Sequence, residues 1–270
     1  MINNNLIKYV ACTLILLASF GVKSQAQENE SLFLVFEFMV VDNEQEADYE
    51  ETERFWKQIH KERVNQGQII GWDLWSLQPG GEQQGYQYLT VTFYDDPVKM
   101  MSRFDLDATI KAAYPDMSED EIQRNLDAAN ASRDLAARVY LEQIAYTESE
   151  FISEIGTIAS IDMMKVDLDK YDAYEEAEKQ IFQPLHQENV DEGFMANWGL
   201  LKVINPIGSD AYMSHITVNM FENWEQVFDY EAIEESDDLT FNTQSALIQA
   251  GLQTRDMRMV YFATLLDMVR

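Results

Sequence analysis

The chain has 270 residues, with 48 acidic and 19 basic side chains, a formal charge of −29 and one cysteine. So acidic a surface repels phosphate backbones and anionic headgroups, which argues against nucleic acid or a membrane as partner. Cys12 alone cannot form an internal disulfide, and it falls in a segment expected to be removed, which also excludes a thiol nucleophile and thiolate metal ligands.

Residues 1–26 read as an export leader. Lys8 supplies the positive start, Tyr9 to Gly21 is apolar but too short to span a bilayer, and Ser24-Gln25-Ala26 has the small-x-small form of a cleavage site. Cys12 lies near the start of the apolar stretch and not after it, which argues against a lipid anchor. A periplasmic or secreted location follows, and the acidity then serves solubility, with attraction of cations or basic partners as the other reading.

Leu32 to Val41 is apolar on both faces, as expected of a strand covered on two sides. Tyr49 to Gln66 is helical by period. Phe55, Ile59, Trp56, His60 and Val64 share one arc, Arg54, Lys57 and Lys61 lie opposite, and Gly67 stands where a left-handed cap is expected. Ile69 to Leu77 and Tyr86 to Tyr94 form a hairpin around Pro79-Gly80-Gly81. A helix from Val98 to Phe104 follows, then one opened by a capping box at Ser118–Glu121, then a strand near Ala137 to Tyr146. Thr147 to Gly156 is the candidate linker. Beyond it the order recurs: Ser160 to Val166, a helix from Tyr174, Met195 to Val203, Met213 to Phe221, helices, and Met257 to Leu265.

The recurrence extends to residues. His60-x-Glu62-x-Val64-x-x-Gly67 with Trp72 returns as His186-x-Glu188-x-Val190-x-x-Gly193 with Trp198. Tyr49-Glu50-Glu51 returns as Tyr174-Glu175-Glu176, and Thr90-Val91 as Thr217-Val218. Phe104-Asp105 matches Phe228-Asp229, Arg133-Asp134 matches Arg255-Asp256, and Val139-Tyr140 matches Val260-Tyr261. A whole supersecondary order repeated once implies a duplicated domain, expected at 27–150 and 151–270.

Two βαββαβ units whose first helix ends H-x-x-x-V-x-x-G and whose next strand carries Gly71-Trp72 or Asn197-Trp198 resemble the dimeric α/β-barrel superfamily of ferredoxin-like domains. The resemblance covers nearly all of the chain after the leader. It implies an α+β fold in which two antiparallel sheets face each other as a pseudo-dimeric barrel with helices outside. It also implies several unlike activities: cofactor-free oxygenation of aromatic polyketides, haem binding or degradation, small-molecule isomerisation or dehydration, and effector binding.

His60 and His186 are the candidate catalytic residues, as general bases; the alternative is a core histidine bonded to the neighbouring strand. Glu62 cannot join His60 on a metal, because residues two apart on a helix point about 200° apart, and no metal site is expected. Glu37 and Asp162 occupy the same point of each first strand among apolar neighbours. A buried carboxylate needs a partner, so Glu37 is expected to reach His60, and Asp162 to reach His186, raising each imidazole's pKa. Arg133 and Arg255 either pair with acids or hold a ligand carboxylate. Trp56, Trp72 and Trp198, with Met163 and Met164, either pack the core or line a pocket for a flat apolar ligand. Asp167 to Glu178 has a calcium-loop outline, but Asp172 stands where glycine is required. His215 reads as structural.

The reading these residues support is an exported protein binding a small, mostly apolar molecule between helix and sheet at Glu37, Trp56, Trp72, Asp162 and Trp198. A cofactor-independent oxygenase-like or haem-binding enzyme using His60 or His186 is the second reading, and a structural or partner-binding module the third. No cofactor is required by the residues, haem entering only through the resemblance, and the oligomeric state stays open.

Overall fold

The computed structural model describes residues 32–235 and 244–270; the expected leader and Cys12 lie outside them. The first repeat runs β1 (Phe33–Val40), α1 (Glu46–Asn65), β2 (Gly71–Gln78), β3 (Tyr88–Tyr94), α2 (Pro97–Met101), α3 (Leu106–Ala113), α4 (Glu119–Ser132) and β4 (Asp134–Tyr146). The second runs β5 (Ile158–Lys165), α5 (Tyr171–Ala177), a π-helical turn (Glu178–Phe182), α6 (Gln183–Asp191), β6 (Asn197–Asn205), β7 (His215–Phe221), α7 (Trp224–Glu235), α8 (Gln244–Leu252) and β8 (Asp256–Val269). Among the described residues no helix is long and apolar enough to cross a membrane.

All eight strands close one antiparallel barrel in the order β1-β3-β2-β8-β5-β7-β6-β4. The closing strands are the last of each repeat. β4 pairs with β1 through Asp134–Glu142 and with β6 of the other repeat through Tyr140–Tyr146, and β8 pairs with β5 and with β2. Neither repeat therefore has a free sheet edge, a closure that removes unpaired backbone groups.

Strand alternation explains why the strands are apolar on both faces. In β1, Leu34, Phe36 and Phe38 point into the barrel, where they meet Leu89, Leu141, Met163, Ile216 and Leu265 in one core shared by both repeats. Phe33, Val35 and Met39 point outward and are covered, with Trp72 and Leu74, by Tyr49 of α1. In the second repeat Met164, Trp198 and Leu200 pack with Tyr174 in the same way. On its far side α1 buries Phe55 and Ile59 against Ile110 of α3 and a fringe that includes Leu126 of α4. Gly67 and Gly193 end the first helix of each repeat at φ 66° and 83°, the left-handed conformation expected of them. The capping box at Ser118 forms, with Glu121 accepting from the Ser118 amide at 2.9 Å.

The sequence echo holds in most places and fails in two. Thr90 and Thr217 pair with Glu37 and Asp162 and are true counterparts. Val139 pairs with Phe36, but its counterpart opposite Ile161 is Tyr261, not Val260. The Val-Tyr match is thus a one-residue slip, which in a strand exchanges inner and outer faces. Phe104 precedes α3, whereas Phe228 lies within α7, so that match is a coincidence. One further difference is a single extra residue between Tyr174 and His186, relative to Tyr49 and His60. The π-helical turn absorbs it, since such a turn inserts one residue without ending the helix.

Because the two repeats share one interior, Leu265→Ala, which empties space in that interior, should cost about 3 kcal/mol. Urea unfolding followed by fluorescence and near-ultraviolet dichroism should keep one coincident transition. Separate transitions for the two repeats would contradict a shared core.

Candidate functional site

The outer face of the first sheet is incompletely filled. A cavity of about 870 Å³ lies between β1–β4 and the layer formed by α1, α2 and α4. Its floor is the outward row of each strand: Val35, Glu37 and Met39, then Thr90, Thr92 and Tyr94, then Arg138 and Tyr140, with Trp72 from β2. Its roof is one stripe of α1, where Glu53, Trp56, His60 and Arg63 recur at helical spacing. Met100, Arg103 and Phe104 form one wall, and Leu126, Ala129 and Arg133 another.

His60 lies flat on Trp72, ring centroids 4.9 Å apart, with Trp56 at 6.1 Å. Its Nδ1 is 3.3 Å from Nη1 of Arg63. A guanidinium has only donors, so Nδ1 is the acceptor and the neutral ring carries its proton on Nε2. Burial, reinforced by the charges of Arg63 and Arg133, holds the His60 pKa well below the ordinary 6.5. The imidazole is therefore neutral and serves as an N–H donor.

The expected Glu37–His60 pair does not form. Glu37 stands directly opposite Arg138 in the β1–β4 register and is bound by it, Nε donating at 2.6 Å, with Thr90 Oγ1 at 3.5 Å. A cross-strand neighbour is nearer than a helix side chain across the layer. Asp162 likewise does not reach His186: it accepts from Ser160 (2.5 Å), Asn219 (2.9 Å) and Thr217 (3.2 Å), while burial raises its pKa against these bonds. His186 stacks on Trp198 at 5.0 Å, and burial with the Arg255 charge lowers it to about 4, the opposite of the expected rise. Asp162, His186 and Trp198 do not line the cavity; Glu37, Trp56, His60 and Trp72 do. His215 is fully buried between Ser214 and Glu175, as a structural residue would be.

Arg133 and Arg255 pair with acids, but with buried helix residues. Arg133 Nη1 is 3.1 Å from Glu53, and Arg255 Nη2 is 3.6 Å from Glu178. Each arginine also lies near the ring of a fully buried tyrosine, Tyr49 or Tyr174. Burial pushes both Glu53 and Glu178 up to about 7, despite the opposing pull of the arginines. Sequence reasoning missed these two acids. Their signal was present, since Tyr-Glu-Glu-x-Glu occurs at both Tyr49 and Tyr174 and places tyrosine and acid one helical turn apart. It also missed that the cavity is not mostly apolar: four arginines (63, 103, 133, 138) face three carboxylates (Glu37, Glu53, Asp134) there.

Among the described residues no group of three or more His, Cys, Asp or Glu side chains is arranged to hold a metal ion. No protein-family model and no curated protein sequence matches the chain. Solved structures do match. A candidate monooxygenase from Fusobacterium nucleatum subsp. nucleatum superposes at a TM-score of 0.52 and 11% identity, over 88% of this chain and 93% of the other. One from Lactobacillus acidophilus gives 0.50 and 10%, over 88% and 95%. A haem-binding protein from Thermus thermophilus gives 0.47 and 8%, over 88% and 92%, a likeness too slight to bear on function. The fold is a dimeric α/β barrel made by one chain.

Opposed proton linkages follow from the buried groups. Glu53 and Glu178, near 7 against an ordinary 4.5, add stability that is complete below about pH 4.5 and is lost as pH rises through 7. His186 and His215, near 4 against 6.5, add stability that is present above 6.5 and is lost as pH falls through 4. Glu53→Gln/Glu178→Gln removes the glutamate linkage and keeps the histidine one, so urea stability should rise more steeply from pH 5 to 7 than in the wild type. Equal slopes would show that the glutamates titrate normally.

Proposed function

We propose that the protein binds a small molecule with a flat apolar body in the helix–sheet cavity of the first repeat. The carrying observation is the cavity itself, whose volume of about 870 Å³ falls within the range of small-molecule sites and whose lining includes Trp56, Trp72, Met100 and Phe104. His60 Nε2–H and the hydroxyls of Thr90 and Thr92 supply neutral polar groups that orient a ligand. The leader-like residues 1–26 support an exported setting.

Haem does not fit either histidine. A ligating imidazole coordinates through one nitrogen while the other donates its proton to an acceptor. His60 presents Nδ1 to the donor Arg63, which leaves its proton on Nε2, and Nδ1 of His186 is buried with no hydrogen-bond partner. This favours a ligand held by stacking and hydrogen bonds.

Catalysis is the second reading, and Glu53 is the observation that favours it. Glu53 lines the cavity and titrates near neutrality, which suits a proton acceptor for a phenol or an acidic C–H. In this reading Glu53 takes the part first given to His60, whose Nδ1 is already occupied. The candidate monooxygenases of the same fold are consistent with such chemistry.

N-phenyl-1-naphthylamine (NPN), a neutral probe that fluoresces in apolar sites, tests the first reading. It should bind the wild type, and Ala129→Trp, which fills the cavity from α4, should weaken binding at least tenfold while the protein stays folded. Unchanged NPN binding in that variant would overturn the proposal. Glu53→Gln should leave NPN binding intact and abolish any turnover of a ligand recovered from the protein; retained turnover would remove Glu53 from the second reading.

A further inference from the structure

Arg63 is a buried cation without an anion. It is 6% exposed, yet among the described residues no carboxylate lies within ion-pair distance of it. The contrast with its neighbours is direct: Arg133 has Glu53, Arg138 has Glu37, Arg255 has Glu178 and Arg270 has Asp73. In a chain with 48 acids and 19 basic residues, a buried arginine that lacks an acid needs a reason. Removing a charge from water is costly unless something compensates it.

The contacts present compensate it only in part. Nη2 donates to Tyr94 Oη at 3.0 Å, Nη1 meets His60 Nδ1 at 3.3 Å, and the guanidinium lies 4.1 Å over the Phe104 ring. Arg63 also sits in the last turn of α1, where the helix dipole supplies a fraction of a negative charge. None of these is an anion, and Nε is buried with no hydrogen-bond partner. The arrangement belongs to one repeat only. The counterparts of Arg63 and Tyr94 are Asn189 and Phe221, although His186 and Trp198 repeat the histidine–tryptophan stack. The Glu53–Arg133 pair recurs as Glu178–Arg255 and so belongs to the fold, whereas Arg63 and Tyr94 occur only in the half that carries the cavity.

We propose that Arg63 and Tyr94, next to His60, form an anion subsite that takes the acidic group of the cavity's ligand: an aromatic acid whose flat body lies by Trp72 and whose carboxylate, sulfonate or phenolate oxygen docks on the guanidinium. The inference deepens the binding reading above and rests on it. A guanidinium offers five N–H donors in a planar fork matched to such oxygens. The anion completes the coordination that the protein leaves open, and the net positive lining selects it from neutral analogues of the same shape.

A matched pair of probes separates the two readings. 8-Anilino-1-naphthalenesulfonate (ANS) is NPN with a sulfonate added. The wild type should bind ANS more tightly than NPN, and Arg63→Asn/Tyr94→Phe, which installs the second repeat's own residues, should weaken ANS at least tenfold while changing NPN less than threefold. Arg63→Gln, with Tyr94 kept, provides a second variant and should behave alike. Melting curves confirm that each variant folds. If ANS and NPN lose affinity equally, or ANS is unaffected, the anion subsite is wrong and the cavity stands. If ANS binds and responds to Arg63 but NPN does not bind, the subsite stands and the apolar cavity falls. If neither probe binds, both fall.

Discussion

Barrel closure is the constraint on which the rest depends. β4 and β8 each serve two repeats, so every strand turns its inner face to one common core. That core is filled by aliphatic and aromatic side chains at positions with no exposure, among them Phe38, Leu89, Leu141 and Leu265. A packed interior has no room for a ligand and no tolerance for an unpaired charge. Polar chemistry is therefore displaced to the outer faces of the sheet, under the helices. The duplication supplies two such layers, and in the first α3 and α4 back α1.

The two layers have diverged from one plan. Both keep a histidine stacked on a tryptophan and a buried tyrosine–glutamate–arginine group joining the first helix to the entrance of the last strand. Recurrence of the same contacts in both halves of one molecule marks them as parts of the framework. What differs is informative in the other direction. In the second layer the helix carries a π-helical turn, and Phe182 packs so closely on Gly251 of α8 that an added Cβ there would meet its ring at 2.8 Å. In the first layer Arg63 and Tyr94 replace Asn189 and Phe221, and the space beside them is open.

Much of the fold was legible in the sequence. The repeated His-x-Glu-x-Val-x-x-Gly and tryptophan pattern located two equivalent helix–strand junctions, and the doubly apolar strands required cover on both faces. The site was legible in part. Trp56, Trp72, His60 and Glu37 do line one cavity, because helical period and strand alternation decide which way a side chain points. Their partners were not legible. Which residue stands opposite Glu37 depends on strand register, and register placed Arg138 there. The Val-Tyr echo failed for the same reason. Arg63 was invisible because helical period normally assigns a charged residue to solvent, whereas it lies on the cavity-facing stripe of α1, against Tyr94 and Phe104.

The central claim is that the ligand site lies outside the barrel, on the first repeat, with its acidic group on Arg63. A crystal structure of the complex with ANS tests it most directly. The naphthalene should lie between α1 and the outer sheet beside Trp72, with the sulfonate bonded to Arg63 and Tyr94. Density for the probe in the barrel interior, or against His186 and Trp198 in the second repeat, would contradict the account.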